Sequence, residues 1–368
     1  MGDVAKITMG QSPNSNNYTS NPKDYILVQG NADMKNGQVH PRVWTTEVTK
    51  TASKGDLILS VRAPVGDVGK TGYDVVIGRG VAAIQGNEFI YQLLRQMKAA
   101  GYWTRFSTGS TFESINSFEI HNAVINLPDK HEQIEIGKLL LSFDRIITLH
   151  EEKKCQLERL KSALLQKMFA DKSGYPTVRF VGFENAWEQC KLGDVFVEST
   201  EKSKDDNEEL LSVTLKDGVI KAKSLDRKNN ASFDKKNYKL VIPNDIAYNS
   251  MRMWQGALGV SKYRGIVSPA YTVIKLRNQL ENPYFYQYYF KKSETLNLFR
   301  KNSQGLTSDT WNLKYPLFSR IHFFTTSIEE QQKISSLLNL LDRTITLHDH
   351  KLELLKRMKQ SLLQKMFI

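Results

Sequence analysis

The 40 residues at 131–170 are written a second time at 329–368. The two copies align without a gap, 198 residues apart, and 21 of the 40 positions are identical. Both carry Leu-Leu-Gln-Lys-Met-Phe just before their last residue. A fixed offset marks an internal duplication, but two copies with 158 residues between them do not make a solenoid. The duplication predicts two large domains in a 368-residue chain, each followed by the same element.

That element reads as a helix. Neither copy contains Pro, Gly137 is the one Gly, and Leu, Lys, Glu and Gln dominate. All four are good helix formers. Apolar residues recur every three or four positions: Phe143, Ile147, Leu157, Leu164 and Met168 in the first copy, Leu341, Ile345, Leu352, Leu355, Leu362 and Met366 in the second. With charges between them, this is a coiled-coil stripe. His150 and His348 sit on it at equivalent places. They read as polar breaks that fix register, with a pH-responsive or metal-binding pair as the alternative. A helix of this length spans about 60 Å. Two like helices in one chain are expected to pair with each other and to hold what they carry at a set separation.

Composition narrows the class. The net charge is +12, which favours a polyanionic partner. The charge is uneven: residues 1–130 hold 13 Lys and Arg against 11 Asp and Glu, or +2, and residues 191–328 hold 22 against 14, or +8. The excess lies on a globular segment and not on a tail. Two cysteines, Cys155 and Cys190, suggest neither a disulfide scaffold nor a metal site. With no signal peptide and no long apolar run, the chain reads as soluble and cytoplasmic.

The two globular segments are distant cousins. "GDLILSVRAPVGDVGKT" (55–71) parallels "NDIAYNSMRMWQGALGVSK" (244–262), each a strand, a turn punctuated by glycines (Gly66 and Gly69; Gly256 and Gly259) and a basic residue. "RFSTGSTFESIN" (105–116) parallels "RKNSQGLTSDTWN" (300–312), small and polar around Gly109 and Gly305. "GDVGKT" (66–71) resembles the end of a phosphate-binding loop, but Pro64 stands where that loop needs Gly. "SPAY" (268–271) and "NPYF" (282–285) resemble the tetrapeptide of amino-methyltransferases, yet each lacks its second Pro and no glycine-rich cofactor loop accompanies them.

"WEQCKLGDV" (187–195), "EEQQKISSLLNLLDRTITLH" (329–348) and the doubled "LLQKMF" resemble the DNA specificity (S) subunit of type I restriction-modification systems, over nearly the whole chain. The resemblance implies an α+β fold: two mixed α/β target-recognition domains separated by two long helices that form an antiparallel coiled coil, a pseudo-two-fold internal repeat. The domains would be 1–130 and 191–328, the spacer helices 131–170 and 329–368, and 171–190 a linker that prefaces the second domain. One departure stands out. "RFVGFENAWEQCKLGDV" (179–195) leads into the second domain, whereas the first opens at "MGDV" and is expected to lack that preface, which bears on how it packs onto the C-terminal helix.

The resemblance also implies a role. Such a subunit binds double-stranded DNA at a bipartite site, one half-site per domain. It directs adenine methylation and restriction by two methyltransferase subunits, which bring S-adenosylmethionine and dock on the spacer helices, and by two translocating nuclease subunits, which bring ATP and Mg²⁺. No cofactor, metal or catalytic residue is expected in this chain. Phosphate contacts supply affinity and base-edge contacts supply sequence. The candidates are Ser60, Arg62, Lys70, Arg79, Ser107, Thr108, Ser110 and Thr111 in the first domain. In the second they are Asn249, Arg252, Lys262, Arg264, Lys301, Ser303, Gln304, Thr307 and Ser308. Trp254 would press into a groove or fill the core. Net charge predicts that the second domain supplies more of the salt-dependent affinity, through Arg252, Lys262 and Arg264, than the first does through Arg62, Lys70 and Arg79. The alternatives are a coiled-coil scaffold for acidic proteins and a self-sufficient methyltransferase.

Overall fold

A computed structural model describes residues 1–106, 114–203, 208–225, 235–278 and 280–367. They form two compact units: Met1–Glu152 with His350–Ile368, and Lys153–Asp349. The fold is α+β, and the duplicated segments are two long helices, Lys130–Lys167 and Ile328–Met366.

Both helices start on a side-chain cap. Asp129 Oδ1 accepts from Glu132 N at 2.9 Å, and Ser327 Oγ accepts from Glu330 N at 3.4 Å. Such caps satisfy amides that have no partner inside the helix. The first helix stops three residues short of the duplicated segment. Met168, Phe169 and Ala170 leave it and are buried. The buried Lys292 holds this exit: its Nζ donates to Phe169 O at 3.1 Å and Ala170 O at 3.0 Å, just past the helix end, and Val178 N donates to Lys167 O at 2.9 Å.

The doubled hexapeptide closes two cores. In the first unit, Ile136 and Leu140 from the start of the first helix share a core with Leu362, Leu363, Met366 and Phe367 from the end of the second. In the second unit, Ile334, Leu338 and Leu341 share a core with Leu157, Leu164, Leu165, Met168 and Phe169. Each unit therefore takes one helix's beginning and the other helix's end. Within each unit the pair is antiparallel. Asp144 meets Lys359 at 2.5 Å and Glu151 meets Lys356 at 2.6 Å in the first unit. Lys154 meets Asp349 at 2.6 Å and Lys161 meets Asp342 in the second. Asp144 and Asp342, like Lys161 and Lys359, are 198 positions apart, so one ion pair of the repeat occurs twice.

The coiled-coil positions lie at these seams. Phe143, Ile147, His150, Leu355 and Leu362 in the first unit are half-buried, as are Leu157, Leu164, Ile345 and His348 in the second, and Leu341 is buried.

Both units are built on the same four-stranded antiparallel sheet. In the first its order is Ile7–Met9, Val81–Ile84, Leu57–Ser60, Val68–Lys70, continued by the hairpin Met34–Lys35 and Gln38–Val39. In the second it is Phe196–Glu198, Tyr271–Leu276, Ile246–Asn249, Leu258–Val260. The central strands Leu57–Ser60 and Ile246–Asn249 are almost wholly buried, as near-continuous apolar runs should be. A short helix then packs on the long one. Asn87 caps Glu88–Ala99 through its Oδ1, and its Nδ2 donates to Gln133 Oε1 at 2.9 Å. Asn282 caps Pro283–Tyr289, and its backbone N–H donates to Gln331 Oε1 at 3.1 Å. Gln133 and Gln331 are again repeat-equivalent, so a capping asparagine meets the same helix glutamine twice, through its side chain in the first unit and its backbone in the second.

Candidate nucleic-acid interface

Strand register decides which of the basic residues share a face. Leu57 lies opposite Lys70 and Ile246 opposite Val260. Lys70 thus corresponds to Val260, and Lys262 lies in the turn beyond, which corrects the parallel drawn from sequence. Gly69 and Gly259 do correspond, but they are strand residues, not turn residues. Each lets the turn glycine of a neighbouring hairpin cross closely. A Cβ on Gly259 would lie 2.7 Å from Gly218 Cα, and one on Gly69 2.9 Å from Met34 Sδ and 3.4 Å from Gly37 C. Gly66 and Gly256, at φ +86° and +89°, make the turns themselves.

One end of each sheet gathers a cluster. In the first unit Val61 N donates to Gly80 O at 2.9 Å, which brings Arg79 beside Arg62, and both arginines are exposed. Ile115 N donates to Val61 O at 3.0 Å and Arg62 bridges Ser114, so the segment from Ser114 joins the same end. Ser60 is buried there, its hydroxyl donating to Arg62 O at 2.9 Å; it holds the backbone of the arginine and offers no donor to solvent. Ser107, Thr108, Ser110 and Thr111 lie outside the described residues.

The second unit repeats this arrangement. Leu313 N donates to Ser250 O at 2.8 Å, tying the Gly305 loop to the end of Ile246–Asn249. Asn249 is half-buried, and its Oδ1 accepts from Met251 N at 3.0 Å. Arg252, Gln304, Thr307 and Ser308 are exposed. Ser303 is half-buried, its hydroxyl donating to Phe299 O at 2.8 Å. Lys301, exposed, closes the helix Ser293–Asn302 and borders a cavity of about 390 Å³ with Lys292, Thr295 and Phe323. Trp254 is half-buried. Its indole donates to Met251 O at 3.1 Å and meets Trp311 edge to face at 5.2 Å, so it braces the turn instead of reaching outward.

Three candidates stand at the other end of the sheets. Lys70 pairs with Glu88 and lies 4.4 Å above the Tyr91 ring. Lys262 and Arg264 follow Val260, and Arg264 Nε donates to Glu208 Oε1 at 2.9 Å. Ser60 and Asn249 lie three residues along the strand from the partners of these turns, about 10 Å away. Residues that sequence reasoning missed are Ser114, Met251, Leu306 and Trp311. Gly305 hinted at the last two, but Ser114 reaches Arg62 across 52 positions and Leu313 ties the Gly305 loop to Ser250 across 63, beyond any local pattern.

Cations and neutral donors and acceptors converge on one end of each sheet. Among the described residues no cluster of His, Cys, Asp and Glu is placed to hold a metal, and no helix is long and apolar enough to cross a membrane.

Known proteins match this architecture. The type I restriction-modification system S subunit from M. genitalium superposes with a TM-score of 0.60 at 16% identity, covering 100% of this chain and 94% of that one. A chain from a structure of complex assembly and conformational transition in the type I R-M system gives 0.52 at 15% identity, covering 99% and 95%. These likenesses concern the fold. In sequence, the chain is 31% identical over 173 residues to the putative type I restriction enzyme MjaX specificity subunit of Methanocaldococcus jannaschii, covering 45% of this chain and 40% of that protein. It is 27% identical over 154 residues to the MjaIX specificity subunit of the same organism, covering 39% and 36%. The matched stretch thus spans well under half the length of these relatives. The type I restriction modification DNA specificity domain matches residues 1–159 and 184–357, nearly the whole of both units, and the chain belongs to that family.

Proposed function

We propose that this chain is the sequence-reading subunit of a cytoplasmic type I restriction-modification complex. It binds double-stranded DNA at a split site, one half-site to each target-recognition domain, 1–130 and 191–328. Adenine methylation and cleavage belong to partners: two methyltransferase subunits with S-adenosylmethionine, and two translocating nuclease subunits with ATP and Mg²⁺. The chain itself contributes recognition and no cofactor.

The observation that carries this reading is the repeated end-of-sheet cluster. In both units a strand end bearing an exposed arginine, Arg62 or Arg252, is hydrogen-bonded to the chain that follows a small, polar, glycine-bearing stretch of sequence. Arginines bind phosphates and guanine edges, and hydroxyl and amide side chains suit base edges. Two such clusters with different side chains fit two different half-sites. The helices support the partner assignment. Leu139, Ile146, Leu149, Leu354 and Met358 are exposed in the first unit and Leu160, Leu340 and Leu347 in the second, on helices whose seams are already filled. Rows of exposed apolar side chains mark protein docking surfaces.

The test is methylome sequencing of cells carrying this gene with its methyltransferase partner. A split methylated motif is the expected result, and exchanging residues 191–328 for another such domain should alter one half of it. A continuous motif, or alteration of both halves, would refute the two-reader assignment.

A further inference from the structure

Leu306 is fully exposed, at 102% of its reference area, at the tip of the loop from Gln304 to Asn312. The loop is not slack. Gln304 N donates to Asn312 O at 3.0 Å and Asn312 N returns to Gln304 O at 2.7 Å. Thr310 N donates to Thr307 O at 3.0 Å, and Thr307 N to Thr310 Oγ1 at 3.1 Å. Gly305 holds φ +146°, and a Cβ there would lie 2.6 Å from the carbonyl of Thr310. The Trp254–Trp311 pair braces the base. A fixed scaffold thus presents one bare isobutyl group among the exposed polar side chains Gln304, Thr307, Ser308 and Asp309.

Among the described residues nothing covers that group, and its burial free energy is open to a ligand. Leu306 is the one exposed large apolar side chain of the loop. That is too small for a protein interface. It is what a base step accepts: minor-groove and architectural proteins insert one Leu, Ile, Met or Phe between neighbouring base pairs and kink the duplex.

We propose that Leu306 is a wedge that enters the DNA stack within the half-site read by the second unit. Arg252 and Lys301 hold flanking phosphates, and Thr307 and Ser308 bond the edges exposed on either side. The inference rests on the DNA-reading function above and adds a mechanism. The wedge distorts the duplex locally, which lowers the cost of extruding a base for chemistry by a partner.

The test uses the chain assembled with its methyltransferase partner and duplexes of the mapped site, with 2-aminopurine placed in turn at each position of that half-site. Wild type should raise the fluorescence at one step. Leu306→Ala should abolish the rise and weaken specific binding by roughly tenfold to a hundredfold, the scale of burying one leucine side chain. It should leave the salt slope unchanged, because no charge is removed. Leu306→Met should retain the rise. The substitutions are on the surface, so the fold is kept. Tight, salt-dependent binding with no rise at any position, or a rise that survives Leu306→Ala, overturns the wedge and leaves the DNA reading intact. Loss of assembly with undiminished DNA affinity of the assembled fraction overturns it in favour of a protein contact. Absence of site-specific binding by wild type overturns the underlying reading as well.

Discussion

Glu132 and Glu330 hold the same place in the repeat, each three residues after its helix cap, and their surroundings differ completely. Glu132 is exposed. Glu330 is fully buried: Arg179 Nε and Nη2 donate to its two oxygens at 2.7 and 2.8 Å, Trp187 Nε1 donates at 3.1 Å, and the Thr326 hydroxyl adds a further bond. Arg179 and Trp187 belong to the segment before the second domain, whose strand Glu188–Lys191 also pairs with His322–Thr325. The same helix residue at an equivalent position therefore does not mean identical anchoring. In the second unit the helix start is locked by an ion pair with every acceptor occupied, and in the first the equivalent carboxylate faces water.

The largest expected effect breaks that difference. Removing one partner of a buried pair leaves an uncompensated charge and costs about 3–5 kcal/mol. Glu330→Ala should therefore strip hydrogen-exchange protection from residues 171–191 and from the start of Ile328–Met366. Glu132→Ala, on the surface, should change protection by less than about 0.5 kcal/mol. Comparable losses at the two sites would show that burial does not govern the anchor.

The strand glycines offer the next contrast. An alanine at 259 meets backbone, the Cα of Gly218 at 2.7 Å, whereas one at 69 first meets the movable Met34 sulfur at 2.9 Å. Overpacking typically costs about 1–3 kcal/mol. Gly259→Ala should fall at the upper end of that range and Gly69→Ala at or below the lower, by hydrogen exchange of the two sheets. The reverse order would mean that the Gly218 hairpin, and not the Gly37 hairpin, is the one that yields.

These two contrasts also mark what the sequence makes legible. The helix repeat, its stripes and the strand-turn parallels are local, periodic signals, and a single chain carries them openly. The glycine pair at 69 and 259 is visible as spacing, but its cause is not, because Gly218 approaches Gly259 across 41 positions. Likewise Arg179 finds Glu330 across 151 residues and Asn282 finds Gln331 across 49. No window of local pattern contains such pairs. Lys70 shows the opposite hazard. Its place in "GDVGKT" suggests a basic residue at a glycine turn, but the register turns it toward Glu88.

A smaller effect concerns the ion pair that the repeat duplicates. Asp144 accepts from two cations, Lys359 at 2.5 Å and Arg95 at 2.9 Å, and from Gln92 at 2.8 Å. Asp342 accepts from Lys161 and from the Tyr288 hydroxyl at 2.6 Å. Burial pushes the Asp144 carboxyl up, but Lys359, Arg95 and Gln92 outweigh it and hold it below the usual range. A depressed carboxylate stabilises the fold above its unfolded pKa, near 3.9, and that contribution fades as pH falls through the folded value. Lys359→Met should therefore cost about 1.5–3 kcal/mol at neutral pH, as for a partly buried charged hydrogen bond. Its deficit against wild type should shrink below about pH 4. Lys161→Met, at the more exposed pair, should cost under about 1 kcal/mol. A Lys359→Met deficit independent of pH would rule out the ionised Asp144 as its source.

The last contrast sets net charge against the face that carries it. By composition the second domain, at +8, should dominate the salt-dependent affinity over the first, at +2. Geometry revises the residues behind that expectation. In the first unit Arg62 and Arg79 share the cluster end of the sheet, while in the second only Arg252 stands on the strand-turn itself; Lys262 and Arg264 lie at the far end, Arg264 paired with Glu208. Every phosphate deprived of its cation flattens the plot of log affinity against log salt by about 0.9 on duplex DNA. Neutralising Arg62 and Arg79 together should then flatten it by about 1.8, and neutralising Arg252 by about 0.9. Neutralising Lys262 and Arg264 should leave it unchanged, as should neutralising Lys70. The assay is titration of the assembled complex with its mapped duplex across a salt series. A slope that flattens when Lys262 and Arg264 are neutralised would mean that DNA also runs along the far end of the second sheet, and that total charge rather than the cluster sets the affinity of that unit.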